Sequence, residues 1–328
     1  MSKDKLDVVG IGNAIVDVLC KTDDAFLKNN HIHKGTMTLI EADQAKALYA
    51  KMGPCIEMSG GSAANTVAAF ASMGGRVGYI GKVASDQMGE VFRHDIRSTG
   101  VVYDTLPLLR EDMPTSRCLI MITPDAQRTM CTNLGASIFF MPMDLDEKMI
   151  KNAQVTYLEG YLFDRAHAKQ SFRMAAELAH AAGKKIALTL SDPFCVDRHR
   201  DDFLELVKNH VDILFANEAE IMSLYKTEGF PEALPHCELA VITRSEKGSV
   251  IISKKETIRV AAEPVAQVVD TTGAGDLYAA GFLYGYTRGK PLAQCGRIAS
   301  IAAAEIIAQV GARPQRSLAQ LLKDKKAA

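Results

Sequence analysis

Short runs of consecutive apolar residues alternate along the chain with longer stretches in which apolar positions recur every three or four residues. The runs at 7–10, 77–83, 154–158, 186–190, 213–216 and 239–243 are continuous, a pattern that predicts strands buried on both faces. Helical periodicity covers 62–73, 86–98 and 166–182, and glycines close these segments at Gly74-Gly75, Gly100 and Gly183. Two Ala-rich amphipathic helices are predicted at 274–288 and 292–309, and the charged tail at 323–328 is predicted to fray. Alternation of this kind favours a mostly parallel sheet with helices on both faces and ligands at the carboxyl ends of its strands. Two stretches break the alternation. Residues 15–39 begin extended and become polar, and 105–133 reads as a hairpin with its turn at Pro124-Asp125-Ala126. Such strands form either a small second sheet over the site or an extension of the main sheet edge, and the pattern suits both.

Composition narrows the classes. Hydrophobic residues make up 48% of the 328 and charged residues 23%, enough apolar material for a large core. The length allows two domains, but large α/β sheets run longer as one unit and neither a repeat nor a low-complexity linker interrupts residues 1–328. A formal net charge of -1, without a basic stripe, argues against nucleic-acid or anionic-membrane partners. A phosphate ligand would be held by local geometry. The seven cysteines are scattered without a Cys-x-x-Cys pair, which suits free thiols in a reducing compartment. The N-terminus lacks an apolar signal core, and no run approaches the ~18 apolar residues of a membrane span. A soluble cytoplasmic enzyme is the expectation, with its oligomeric state left open. The eight histidines supply no H-E-x-x-H or other ligand spacing.

Five clusters carry candidate chemistry. In Asp270-Thr271-Thr272-Gly273-Ala274-Gly275-Asp276, small residues precede an acid that opens a helix. The amides of Gly273, Ala274 and Gly275 at that helix N-terminus suit an anion, and Asp276 can cap the helix or act as a base beside a phosphate. Ser59-Gly60-Gly61-Ser62 followed by Asn65 lets a polar substrate approach the backbone, although taken alone it is a common turn into a helix. Gly10-Ile11-Gly12-Asn13 fails the dinucleotide fingerprint, since Ile15 stands where its third glycine belongs. Asn13 and Asp17 can instead bind vicinal hydroxyls. Asn217 and Glu220, after a predicted strand, can order a hydrated Mg²⁺ and phosphates or simply cap a helix. Thr243 to Gly248 again follow a strand. No G-x-x-x-x-G-K-[ST] pattern occurs, which excludes a Walker-type site.

The first of these clusters matches the DTxGAGD signature, and the clusters fall in the order found along the PfkB/ribokinase family of small-molecule kinases, which the chain resembles over nearly its whole length. The resemblance implies a doubly wound, mostly parallel α/β sheet (ribokinase-like) with a small β-sheet lid, formed here by insertions at about 15–39 and 105–133. It implies transfer of the ATP γ-phosphate to an alcohol. Asp276 would be the base, with Gly273, Ala274 and Gly275 as the anion hole. Asn13, Asp17, Gly60, Gly61 and Asn65 would bind the substrate, and Asn217, Glu220, Thr243 and Gly248 would serve Mg²⁺-ATP, Mg²⁺ being held through water. Some members use a monovalent cation such as K⁺ near the anion hole, where Asp270 and Thr272 would be nearest. The family usually has glycine at Ser245. Ribokinases carry lysine where Ser62 stands; this chain is more similar to adenosine kinases, and its Arg128 segment is similar to a lid segment whose arginine reaches the phosphates. A nucleoside acceptor, adenosine first, is therefore expected, with a sugar such as ribose or fructose as the alternative. A non-catalytic binding relative is a third class, opposed by the intact Asp276 and both glycines.

Overall fold

The computed structural model describes residues 5–125, 127–229 and 236–327. Its strands are β1 (Leu6–Ile11), β2 (Ile15–Lys21), β3 (Met37–Leu39), β4 (Cys55–Gly60), β5 (Val77–Ile80), β6 (Ser116–Ile122), β7 (Arg128–Asn133), β8 (Ala153–Glu159), β9 (Lys185–Thr189), β10 (Ile213–Asn217), β11 (Leu239–Thr243), β12 (Ser249–Ser253) and β13 (Thr257–Val260). Eight form one sheet in the order β13-β12-β11-β10-β9-β8-β1-β5. The six strands from β11 to β5 run parallel, and β12 and β13 close one edge antiparallel. Continuous apolar runs fit this position, because both faces are covered. One face packs on the helices Ser62–Ser72, Ala274–Tyr286 and Leu292–Ile307, and the other on Ala166–Ala181 and Arg200–Asn209. Strand order reverses between β1 and β8, the point where such sheets open a crevice for ligands.

The other five strands form a separate sheet, β3-β7-β6-β2-β4. Of the two arrangements the pattern allowed, the second sheet is the one observed. β6 and β7 pair antiparallel from Arg117 opposite Asn133 to Ile122 opposite Arg128, and Ala126 of the expected turn lies outside the described residues. The expected boundaries shift. β4 joins this sheet from outside the expected insertions, while residues 105–115 contribute no strand to it; Leu108 instead bridges to Ala84 of the main body. One face packs Val16, Val18, Leu119 and Met121 into the main core. The opposite face carries Ile15, Cys118, Ile120 and Met130.

Two further expectations change, and one hairpin adds to those expected. The strand expected at 77–83 stops at Ile80, where the chain turns so closely that a Cβ on Gly81 would lie 2.7 Å from the Gly12 carbonyl. The edge hairpin β12–β13 was not anticipated, since β13 has no buried residue to give it an apolar run. The tail does not fray from 323: the helix Leu318–Asp324 enters it and Ala327 is buried. Ala328 lies outside the described residues.

Candidate active site

The carboxyl ends of β1, β8, β9, β10 and β11 open into one cavity of about 550 Å³, which receives Asn13, Glu159, Thr189, Asn217 and Thr243 in that order. Its far wall is the apolar face of the second sheet, including Ile15, Leu39, Ile120 and Met130. Its floor is the Gly273–Asp276 turn. Size and lining fit a small organic ligand held by a few polar groups.

Gly273 adopts φ +79° at the start of the helix Ala274–Tyr286, in the left-handed region that favours glycine. The Ala274 amide donates to the Thr271 carbonyl at 3.2 Å, so one of the three amides expected in the anion hole is already engaged. Asp276 faces the cavity and does not cap its helix. Its Oδ1 accepts from the Ser62 hydroxyl at 2.6 Å and its Oδ2 from Asn65 Nδ2 at 3.1 Å. Burial pushes this carboxyl above its ordinary range, against the two hydrogen bonds and the positive charge of Arg313. Asn65, expected on the substrate, thus spends its amide on Asp276. Its Oδ1 is buried without a protein partner, in a residue that borders the cavity.

Asp17, on β2, lines the same cavity as Asp276. Burial pushes its carboxyl up to about 7, opposed by Arg313 and Arg128 and reinforced by Asp276. The turn after β4 is moulded around it: a Cβ on Gly60 would lie 2.3 Å from the Asp17 carboxyl carbon, and Gly61 stands at φ +95°. Asn13 is held by Glu159, whose Oε1 accepts from Asn13 Nδ2 at 2.9 Å and whose Oε2 accepts from the Ala63 amide at 2.8 Å. Burial pushes Glu159 up to about 7. Glu159 lies outside the five clusters that the sequence marks. An acid closing the apolar strand Tyr157-Leu158-Glu159, at a strand's carboxyl end, was the available signal.

Asn217 and Glu220 form a reciprocal cap. Asn217 Oδ1 accepts from the Glu220 amide at 2.8 Å, while the Glu220 carboxylate accepts from the Asn217 amide at 3.0 Å and its Nδ2 at 2.8 Å. Both side chains nonetheless line the cavity, and burial pushes Glu220 up to about 7. Thr243 lines the cavity as well. Gly248 is not among the lining residues: at φ +81° it closes the β11–β12 turn, its amide bonded to the Ser245 carbonyl. Ser245 itself sits at φ +50°, which gives a physical reason for the glycine usual in the resembling family.

Arg128 departs from expectation. It pairs at 2.5 Å with Asp270, both side chains nearly buried, and does not line the cavity. Asp270 also accepts from the amides of Thr272 (3.0 Å) and Gly311 (2.8 Å). The Asp270 carboxylate is thus engaged by Arg128 and two amides, and it does not line the cavity. Thr272 lines the cavity floor.

A family profile described as pfkB family carbohydrate kinase matches residues 53–318. The chain belongs to this family of kinases, which phosphorylate a hydroxyl group. Among solved structures it is similar to the adenosine kinase from Sinorhizobium meliloti, with 51% identity and a TM-score of 0.90 over 99% of this chain and 100% of that one. It is also similar to a probable sugar kinase protein from Rhizobium etli CFN 42, with 46% identity and a TM-score of 0.91 over 99% of both chains. Adenosine kinase of Dictyostelium discoideum is 29% identical over 94% of this chain and 96% of its own. Among the described residues, no helix is long and apolar enough to cross a membrane.

Proposed function

We propose that the protein transfers the γ-phosphate of ATP to the 5′-hydroxyl of a nucleoside, adenosine first, in a reducing, cytoplasmic setting. The observation that carries the reading is the joint placement of two carboxylates, Asp17 and Asp276, between the glycine turn at 273–275 and an apolar sheet face. Asp17 takes the ribose 2′- and 3′-hydroxyls, as a carboxylate accepts two O–H groups well. Asn65, which lines the same cavity, takes another hydroxyl. The 5′-oxygen then faces Asp276 and attacks the γ-phosphorus: the new O–P bond forms, the bond to the β-phosphate oxygen breaks, ADP leaves, and the hydroxyl proton passes to Asp276. Gly273 and Gly275 amides stabilise the transferring group, since phosphoryl transfer depends on positioning and charge stabilisation. The second sheet acts as a lid of a single ribokinase-like domain, covering the base and excluding water.

The triphosphate lies along Thr243, Asn217 and Glu220. Both Glu220 oxygens already accept from Asn217, and among the described residues no three His, Cys, Asp or Glu side chains group to hold a metal. That donor set fits Mg²⁺ retained with its waters and held by Glu220 through one of them. Mg²⁺ there would offset the phosphate charge. Glu220→Gln should therefore raise the Mg²⁺ concentration for half-maximal activity, leaving acceptor binding without ATP unchanged. An unmoved Mg²⁺ titration would return the pair to a purely capping role.

A free sugar is the second reading, supported by the similarity to the probable sugar kinase of Rhizobium etli. The test compares adenosine, inosine, guanosine, ribose and fructose with Mg²⁺-ATP. Adenosine should give the highest kcat/KM; ribose or fructose above every nucleoside would overturn the nucleoside reading.

A further inference from the structure

We propose that Arg313 is a positioning residue for phosphoryl transfer, clamping the Ser59–Gly61 turn to the first turn of the helix Ser62–Ser72 so that Asp17 and Asp276 keep their mutual placement. It rests on the roles assigned above to those two carboxylates. Arg313 Nε and Nη2 donate to the Ser59 carbonyl at 3.2 and 2.8 Å, Nη2 also to Ser59 Oγ at 2.9 Å, and Nη1 to the Ala64 carbonyl at 2.9 Å. Ser59 is held from its other side, its amide and hydroxyl donating to Asp95 at 2.8 and 2.5 Å. One planar group thus spans the end of β4 and the helix that follows it. Between its two anchor points lie Gly60, moulded on Asp17, and Ser62, bonded to Asp276; Asn65, also bonded to Asp276, follows directly after the second anchor.

Arg313 does not line the cavity and so acts through other residues. Its positive charge lowers the pKa of both Asp17 and Asp276 against burial. The groups facing it are Asp95, Asp17, Asp276 and Tyr79. Arg128 and Cys118 also face Asp17, and Glu159, Tyr157 and Tyr161 face Asp276. A lysine keeps the charge but not the fork that reaches two carbonyls and a hydroxyl together.

The test measures kcat and KM for adenosine and for ATP, with pH profiles, in Arg313→Met, Arg313→Lys and Asp276→Asn. Loss of several charge-assisted bonds should lower kcat/KM for adenosine about 10- to 100-fold in Arg313→Met, with the KM for ATP within about twofold. Removing the positive charge should also move the acid limb of kcat/KM upward by about one pH unit. Arg313→Lys should restore the acid limb but not the full kcat/KM. A purely structural role would move stability and both KM values without moving the limb. Adenosine kinetics within about threefold of wild type in Arg313→Met, or a limb that stays in place, overturns the proposal. If Arg313→Met does not fold, Arg313→Lys decides: an adenosine kcat/KM equal to wild type overturns it. Asp276→Asn separates the two layers, because full activity in that variant removes the catalytic reading itself, whereas an inactive Asp276→Asn beside a normal Arg313→Met removes only the clamp.

Discussion

Asp276→Asn should lower kcat by about 10²–10⁴-fold, the usual contribution of a positioned general base. The substitution preserves shape. Ser62 Oγ and Asn65 Nδ2 both donate to the wild-type carboxylate. The new amide can keep its oxygen for Asn65 and turn its NH₂ to Ser62, whose hydroxyl then accepts. Folding and the KM values for adenosine and ATP should change by a few-fold at most, so the loss falls on turnover. Because burial lifts this carboxyl above its ordinary range, wild-type activity should rise with pH as the group ionises, the base working only when deprotonated. At saturating adenosine, the variant's residual kcat should lose that acid limb. Steady-state kinetics across pH provide the check, and turnover within about threefold of wild type would leave Asp276 as a helix-terminal acid without a catalytic role.

Asp17→Ala should erase most of the discrimination between adenosine and 2′-deoxyadenosine. A site built to hydrogen-bond a hydroxyl rejects the analogue lacking it by up to ~10⁴, because its buried partners are left unpaired. In the wild type, 2′-deoxyadenosine should therefore be much the poorer substrate. Removing the carboxylate removes the group that would be stranded, so the two nucleosides should converge while the KM for ATP stays put. The sign of the pH effect follows from the carboxyl lying near 7: below that value it is protonated and accepts fewer O–H groups, above it the anion binds the diol. The advantage of adenosine over its 2′-deoxy analogue should grow between about pH 6 and pH 8. Undiminished discrimination in Asp17→Ala would move the diol site elsewhere.

Much of the main sheet can be read from the chain. Strands β8 to β11 show as continuous apolar runs, since a strand buried on both faces must be apolar throughout. The glycine turn before Asp276 is legible for a similar reason: a left-handed Gly273 leading into a helix leaves a local mark in sequence. The second sheet was only half legible, because β3 is three exposed residues and β4 mixes exposed, half-buried and buried positions without strict alternation. The partners of the reactive groups were not legible at all. Ser62 meets Asp276 across 214 residues, Asn13 meets Glu159 across 146, and Arg313 reaches Ser59 across 254. Local spacing records which backbone a segment prefers and which chemistry it carries. Whether Asp276 receives its hydrogen bonds from Ser62 and Asn65, whether Arg128 turns to Asp270, and how far burial lifts Asp17 depend on packing between segments distant along the chain, where desolvation and charge act through space.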